Sequence, residues 1–89
     1  MDETSNDRLW LVAFGETIAE RRQFLAMTQQ QLADLSGVHR TYVSDVERGF
    51  RNITVRTLNR IATALETTGA RILVLSDKKM LELDSDNKE

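Results

Sequence analysis

Four polar side chains between residues 40 and 45 have the types and spacing of a base-reading surface. They are Arg40, Thr41, Ser44 and Asp45, which fall at i, i+1, i+4 and i+5 and therefore share one side of a helix. Arginine can bond O6 and N7 of guanine, threonine can pack its methyl on thymine, and aspartate can accept from N4 of cytosine. We therefore predict that they contact base edges in double-stranded DNA. For Asp45, an ion pair with Arg48 three residues later is an equal alternative.

The residues around this set have the spacing of two short helices joined by a tight turn. Ala33 is small where two helices would cross, and Gly37, four residues later, tolerates the positive φ that the turn needs. Val38, Val43 and Val46 supply the aliphatic contacts of the turn and of the second helix. This joint pattern predicts a helix-turn-helix whose second helix, residues 39–48, presents its N-terminal end to the major groove.

Helical periodicity also dominates the flanking sequence. Phe14, Ile18 and Leu25 predict an amphipathic first helix over residues 8–25. Thr28 and Gln31 form a capping box for the second helix, and Thr54 is placed to cap a fourth. The apolar stripe of that fourth helix has the spacing i, i+3, i+4 and i+7: Leu58, Ile61, Ala62 and Leu65.

The pattern changes after residue 66. Residues 67–69 read as a breaker, and residues 70–76 are a short apolar run rich in branched side chains, which predicts a β-strand. A lone strand leaves backbone groups unpaired on both edges, so pairing with a second copy of the chain is the simplest resolution. The predicted dimerisation residues are Ile72, Leu73, Val74 and Leu75.

Charge is distributed unevenly along the chain. The 89 residues have a net charge of −2, but residues 8–75 carry nine arginines against six acidic residues, whereas residues 1–7 and 76–89 are net acidic. The location of charge, more than its total, determines whether a surface attracts nucleic acid. The average acidity therefore does not exclude a DNA-binding protein.

Composition excludes most catalytic chemistry. The chain has no cysteine, a single histidine and no glycine-rich phosphate loop, so we expect no enzyme activity, no metal site and no cofactor. No apolar run approaches the roughly 20 residues of a membrane span. The polar, acidic start is unlike a secretory signal, so we expect a cytoplasmic protein with no membrane partner.

With these features, the sequence resembles the XRE family of helix-turn-helix proteins, which are similar to the phage Cro and C1 repressors. The resemblance covers about residues 9–66, and its matching pieces are Met27-Thr28-Gln29, Gln31-Leu32-Ala33, Ser36-Gly37-Val38, Val46-Glu47-Arg48-Gly49, and Thr57-Leu58 through Ala64-Leu65. The recognition region looks like that of the controller proteins of restriction–modification systems. The predicted C-terminal strand instead resembles HipB-type antitoxins. Ala26 departs from the family, where glycine is common at the end of the first helix.

The resemblance implies a fold and a set of roles. The expected fold is an all-α, lambda-repressor-like bundle of four or five helices, with the C-terminal strand paired across a dimer. Base contacts fall on the four residues named first, and Arg22 with Glu47 would form a structural ion pair. His39 begins the recognition helix and is expected to cap it or to contact a phosphate. The full set of predicted backbone-contacting residues is Gln29, His39, Arg48, Arg51, Asn52 and Arg56.

Two functions remain open on the sequence. The first is a homodimeric, sequence-specific transcription regulator that reads a palindromic operator through the major groove. The second is an antitoxin that binds a toxin protein and regulates its own operon. The predicted division of the chain is an acidic tail (1–7), a DNA-binding domain (8–66), a dimerisation strand (67–76) and a charged tail (77–89).

Overall fold

Five α-helices make up the part of the chain that the computed structural model describes, residues 5–87. They are α1 (Ser5–Phe24), α2 (Gln29–Ser36), α3 (Arg40–Glu47), α4 (Val55–Ala64) and α5 (Gly69–Asn87). The all-α helix-turn-helix bundle agrees with the expected fold. Residues 1–4 of the predicted acidic tail and residues 88–89 lie outside the described residues.

Local sequence signals set the ends of the helix-turn-helix. Thr28 and Gln31 form the predicted capping box, in which the Gln31 amide donates to the Thr28 hydroxyl at 3.0 Å and the Thr28 amide donates to Oε1 of Gln31 at 2.8 Å. Gly37 ends α2 in the left-handed region, with φ 76°, and its amide donates to the Ala33 carbonyl at 2.9 Å. The predicted cap of α4 is also present, since Thr54 accepts from the Thr57 amide.

One residue before α2 carries backbone strain. Ala26 has φ 55°, in the left-handed region. A residue with a Cβ costs about 1 kcal/mol more than glycine there. The turn between α1 and α2 therefore uses the left-handed conformation although the residue is alanine and not glycine.

The close approach of α1 to α3 depends on Gly15, which the sequence analysis did not single out. A Cβ at this position would lie 2.3 Å from the Val46 carbonyl oxygen and 2.6 Å from that of Glu47. Both distances are far below van der Waals contact, so only glycine lets the two backbones meet. This contact brings the end of α3 against the middle of α1.

A single apolar core joins all five helices. Its fully buried members come from each helix in turn and include Ile18, Leu32, Val43, Ile61 and Ile72. Trp10 stacks on Phe14 at the edge of this core, with ring centroids 5.8 Å apart. The side of α3 that carries Val43 and Val46 thus packs on the bundle, and the side that carries Arg40 and Thr41 stays accessible to solvent.

The predicted strand at residues 70–76, the basis of the dimerisation segment 67–76, is wrong, because α5 begins at Gly69 and includes all of these seven residues. Thr68, assigned to a breaker, instead starts the helix: its hydroxyl accepts from the Arg71 amide at 3.1 Å and its carbonyl accepts from the Ile72 amide at 3.0 Å. Of the residues predicted to pair across a dimer, Ile72 is buried in the core, while Leu73, Val74 and Leu75 are exposed.

The strand prediction failed because it considered only residues 70–76, whereas the buried positions of α5 repeat with helical spacing over a longer stretch. Ile72 and Ser76 are fully buried four residues apart, and Met80 and Leu83 continue the same side of the helix as half-buried residues. A seven-residue apolar run does not distinguish a strand from a buried helix segment. The charged segment after residue 76, predicted to be a tail, contains Met80 and Leu83 and therefore continues the helix.

Helix α5 packs mainly along α1, and an ion-pair cluster accompanies this contact. The Lys79 ammonium donates to the Glu20 carboxylate and lies 4.0 Å from that of Glu16. The hydrogen bond to Glu20 raises the pKa of Lys79 above its ordinary value; the charges of Glu20, Glu16 and Glu82 add to the rise, and partial burial opposes it. The hydrogen bonds within α5 pair the backbone groups that a lone strand would have left unpaired.

Candidate DNA-binding site

The N-terminal end of α3 presents the four residues predicted to read bases. Arg40 and Thr41 are exposed, and Ser44 and Asp45 follow one turn later as half-buried residues. His39 occupies the N-cap position with extended backbone angles, but its side chain makes no capping hydrogen bond. The exposed imidazole of His39 therefore has no role in holding the helix end.

A buried ion pair fixes the other end of α3. Arg22 of α1 and Glu47 are only 12% and 6% exposed, and they form two hydrogen bonds, Nε to Oε2 at 2.6 Å and Nη2 to Oε1 at 3.0 Å. Arg22 also donates to the Met27 carbonyl at 2.8 Å. Two parallel bonds between planar groups define orientation as well as distance. The pair therefore sets the angle at which α3 leaves the bundle.

Gln29 connects this buried pair to the exposed surface. Its side-chain amide donates to Oε1 of Glu47 at 2.9 Å, and its oxygen lies 3.4 Å from Nη1 of Arg40. The predicted role of Gln29 was a phosphate contact at the start of α2. The structure additionally makes it the bridge through which the ion pair supports the Arg40 guanidinium.

Asp45 is the centre of a second, exposed network. Its Oδ1 lies 2.9 Å from Nη2 of Arg48, and its Oδ2 lies 3.7 Å from Nε of Arg51. The alternative of an ion pair with Arg48 is thus present in the structure, together with a second arginine that the sequence analysis had not linked to Asp45. The side chains of the two arginines are 60% and 51% exposed.

Aromatic rings lie beside these arginines. The Arg51 guanidinium stands 4.9 Å from the centroid of the Tyr42 ring, and that of Arg48 stands 5.0 Å from the centroid of Phe50. Arg8 of α1 is also 4.9 Å from the Phe50 centroid, and it donates to the Gly49 carbonyl. Such contacts orient guanidinium groups without removing them from water.

Sequence reasoning missed Arg8 and Phe50. Phe50 is more than half exposed, so no apolar period marks it, and Arg8 comes close to it only through the packing of α1 on α3. The one available signal is an aromatic residue directly between Gly49 and Arg51 in a polar loop. The remaining predicted backbone contacts, Asn52 in that loop and Arg56 in the first turn of α4, are both exposed.

The described residues hold no group of side chains suited to a metal ion. Among them, no helix is both long and apolar enough to cross a membrane. The chemistry that the surface does offer is a series of arginine, hydroxyl and amide donors at and beside the exposed end of α3. That arrangement suits an anionic polymer whose base edges accept hydrogen bonds.

A helix-turn-helix whose second helix is fixed to α1 by a buried ion pair and flanked by exposed arginines is typical of one class of protein. That class is the sequence-specific DNA-binding transcriptional regulators. The chain belongs to the helix-turn-helix family HTH_3, whose profile matches residues 18–72. The XRE-type membership predicted from the sequence is confirmed.

Several of the chain's relatives are control proteins, among them controllers of restriction–modification systems. Over 59 residues the chain is 43% identical to control protein C.SmaI of Serratia marcescens, which covers 66% of this chain and 70% of that protein. The structure of the controller protein C.AhdI from Aeromonas hydrophila is similar with a TM-score of 0.67 and 43% identity, over 71% of this chain and 94% of that one. The predicted likeness to controller proteins is therefore confirmed.

A third relative has been solved with DNA. The controller protein C.Esp1396I, as a tetramer in complex with its natural 35 base-pair operator, matches 81% of this chain and 95% of its own with a TM-score of 0.73 and 33% identity. The likeness to HipB-type antitoxins rested on the C-terminal strand. It has no support, because α5 occupies that segment.

Proposed function

We propose that two copies of this chain bind a roughly palindromic operator and control the genes of a restriction–modification system in a bacterial cytoplasm. In a twofold dimer, two copies of α3 would enter successive major grooves about 34 Å apart. The named relatives support the biological setting, and the proposed role involves no catalysis. A toxin partner is not part of the proposal, because the two features that favoured it, a C-terminal strand and a charged tail, are replaced by α5 over residues 69–87.

The observation that carries the proposal is the support given to Arg40. A 3.4 Å contact with Gln29 connects its guanidinium to the buried pair of Arg22 and Glu47, and this contact orients the side chain that would read guanine. Thr41 lies exposed beside it and Ser44 one turn further along α3. Preorganised donors lose less conformational entropy on binding, which favours base readout over loose phosphate contact.

The proposed phosphate contacts surround this base-reading end. They are the six residues named from the sequence: Gln29, His39, Arg48, Arg51, Asn52 and Arg56. Five of them are exposed, and Gln29 is half-buried in its bridge to Glu47. The free amides at the start of α2 would add to the attraction for a phosphate near Gln29.

The proposed dimer surface is the exposed part of α5 around Val74, with Leu73 and Leu75 flanking it on either side. Beside it lies an apolar pocket of about 230 Å³ between α1, α4 and α5, lined by Trp10 and Leu73 among others. Leu73, Val74 and Leu75 are 40%, 66% and 42% exposed, and adjacent exposed apolar side chains are typical of an interaction surface. Ile72 was predicted to be an interface residue, but it is not part of the proposed dimer surface because it is buried in the core.

The dimer is best tested by a surface substitution. Removing residues 70–89 would also remove Ile72 and the packing of α5 on α1, so loss of the dimer could reflect unfolding. We expect Val74→Glu to give a folded monomer in light scattering, whereas Leu35→Glu on α2, where Leu35 is 64% exposed, leaves the dimer intact. A Val74→Glu protein that remains dimeric would move the interface away from α5.

DNA recognition is tested by selecting sites from randomised duplexes and comparing the selected site with an unrelated duplex. Arg40→Ala should lower affinity for the selected site by about 1–3 kcal/mol and leave binding to unrelated DNA largely intact. Arg60→Ala, on the exposed part of α4, is the matched control. Failure of the wild-type protein to enrich any sequence would overturn sequence-specific binding.

A further inference from the structure

We propose that Asp45 is a specificity-determining residue that withholds Arg48 and Arg51 from phosphates until the operator is bound. The inference rests on the proposed DNA-binding function and concerns the balance between specific and non-specific binding. It assigns the carboxylate a task different from that of the arginine and hydroxyl donors around it.

The geometry points to one carboxylate shared by two cations. Each oxygen of Asp45 faces a different guanidinium, at 2.9 Å for Arg48 and 3.7 Å for Arg51. The Asp45 side chain is 23% exposed, whereas both arginines are at least half exposed. The carboxylate is therefore fixed close to the surface of α3, and the arginines are the mobile partners that a phosphate could take from it.

The rings beside the arginines keep them close to where a phosphate would arrive. Tyr42 and Phe50 contact the guanidinium groups of Arg51 and Arg48, respectively. The loop that carries Phe50 is itself tied to α3, since the Phe50 amide donates to the backbone carbonyl of Asp45 at 2.8 Å. Breaking the ion pairs thus requires a short rotation of two side chains and no movement of the backbone.

The energetic consequence differs between the two kinds of DNA. On an unrelated duplex, each arginine must give up Asp45 to bind a phosphate, and the carboxylate is left facing a polyanion. On the operator, N4 of a cytosine can donate to the freed carboxylate and offset that loss. Asp45 therefore weakens non-specific binding more than specific binding, which raises the ratio between them.

The test is Asp45→Asn, which keeps the shape and removes the charge. We expect affinity for an unrelated duplex to rise about tenfold at low salt, with a steeper dependence of log K on log salt by about one unit per subunit. Affinity for the selected operator should rise less or fall, so the specificity ratio drops by about tenfold or more. The matched control is Asp34→Asn, the same charge change on an exposed residue of α2 that hydrogen-bonds Gln30.

Three outcomes would overturn the proposal: unchanged affinity of Asp45→Asn for unrelated DNA, an equal gain in Asp34→Asn, or an undiminished gain from Asp45→Asn in a protein that already carries Arg48→Gln and Arg51→Gln. The last would show that the carboxylate acts by direct repulsion and not through its arginines. These measurements use unrelated DNA, so they are distinct from the failure of the proposed function, which is the absence of any enriched site for the wild-type protein.

Discussion

Two acidic residues of α3, Asp45 and Glu47, lie only two positions apart but differ in their exposure and in the arginines that they contact. Glu47 is 6% exposed and holds Arg22 through two short hydrogen bonds, whereas Asp45 is 23% exposed and faces two largely solvated arginines. Residues two apart in a helix point in different directions. One carboxylate therefore faces the bundle and the other faces solvent.

The difference shows that the contribution of an ion pair to stability depends on how deeply the pair is buried. Removing one member of a buried pair leaves an uncompensated charge and is strongly destabilising. An exposed pair contributes between zero and about 1 kcal/mol, so it can be broken whenever a better partner arrives. The Glu47 network thus maintains the position of α3, and the Asp45 network can exchange partners with DNA.

Glu47→Gln should produce the largest effect on this comparison. It leaves the Arg22 guanidinium mostly buried without a countercharge, so we expect a loss of about 3 kcal/mol in the free energy of unfolding, measured by urea denaturation. Asp45→Asn is the natural control, with an expected change within about 1 kcal/mol. Similar losses in both variants would show that the two networks do not differ as described.

Arg51→Ala should produce a smaller effect, visible in DNA binding and not in folding. Arg51 is half exposed and pairs with Asp45 across a long 3.7 Å contact, so its loss should leave the unfolding midpoint nearly unchanged. We expect lower affinity for all sequences and a salt dependence flatter by about one unit for each lost phosphate contact. A salt dependence equal to that of the wild-type protein would remove Arg51 from the proposed phosphate set.

The sequence was most informative where several local signals agree. The capping box at Thr28, the left-handed Gly37 and the Thr54 cap each depend on residues within four positions of one another, and all three are present. The spacing of Ala33, Gly37 and the following valines made the helix-turn-helix recognisable. Hydrogen bonds of this kind join residues that are close in sequence, so residue type and spacing are enough to predict them when several signals agree.

The sequence was least informative where distant segments decide the outcome. The strand prediction considered residues 70–76 alone, but α1 supplies the surface against which Ile72 and Ser76 are buried as helical residues. The need for glycine at position 15 and the contact of Arg8 with Phe50 likewise appear only when α1 is placed against α3. Neither has a periodic signal along the chain.

Lys79 offers the smallest expected effect and a reference for what an exposed pair contributes outside α3. Its folded-state pKa is raised above 10.5, chiefly by the hydrogen bond to Glu20, so the stabilisation is fully present at pH 7 and is lost as pH rises through the folded value. We expect Lys79→Gln to lower the free energy of unfolding by less than about 1 kcal/mol at pH 7. The neighbouring exposed Lys78→Gln is the control. The difference between wild-type and Lys79→Gln proteins should shrink as the pH rises beyond 10.5, in urea titrations repeated across that range. A deficit as large as that expected for Glu47→Gln would mean that burial is not what separates strong from weak pairs in this bundle.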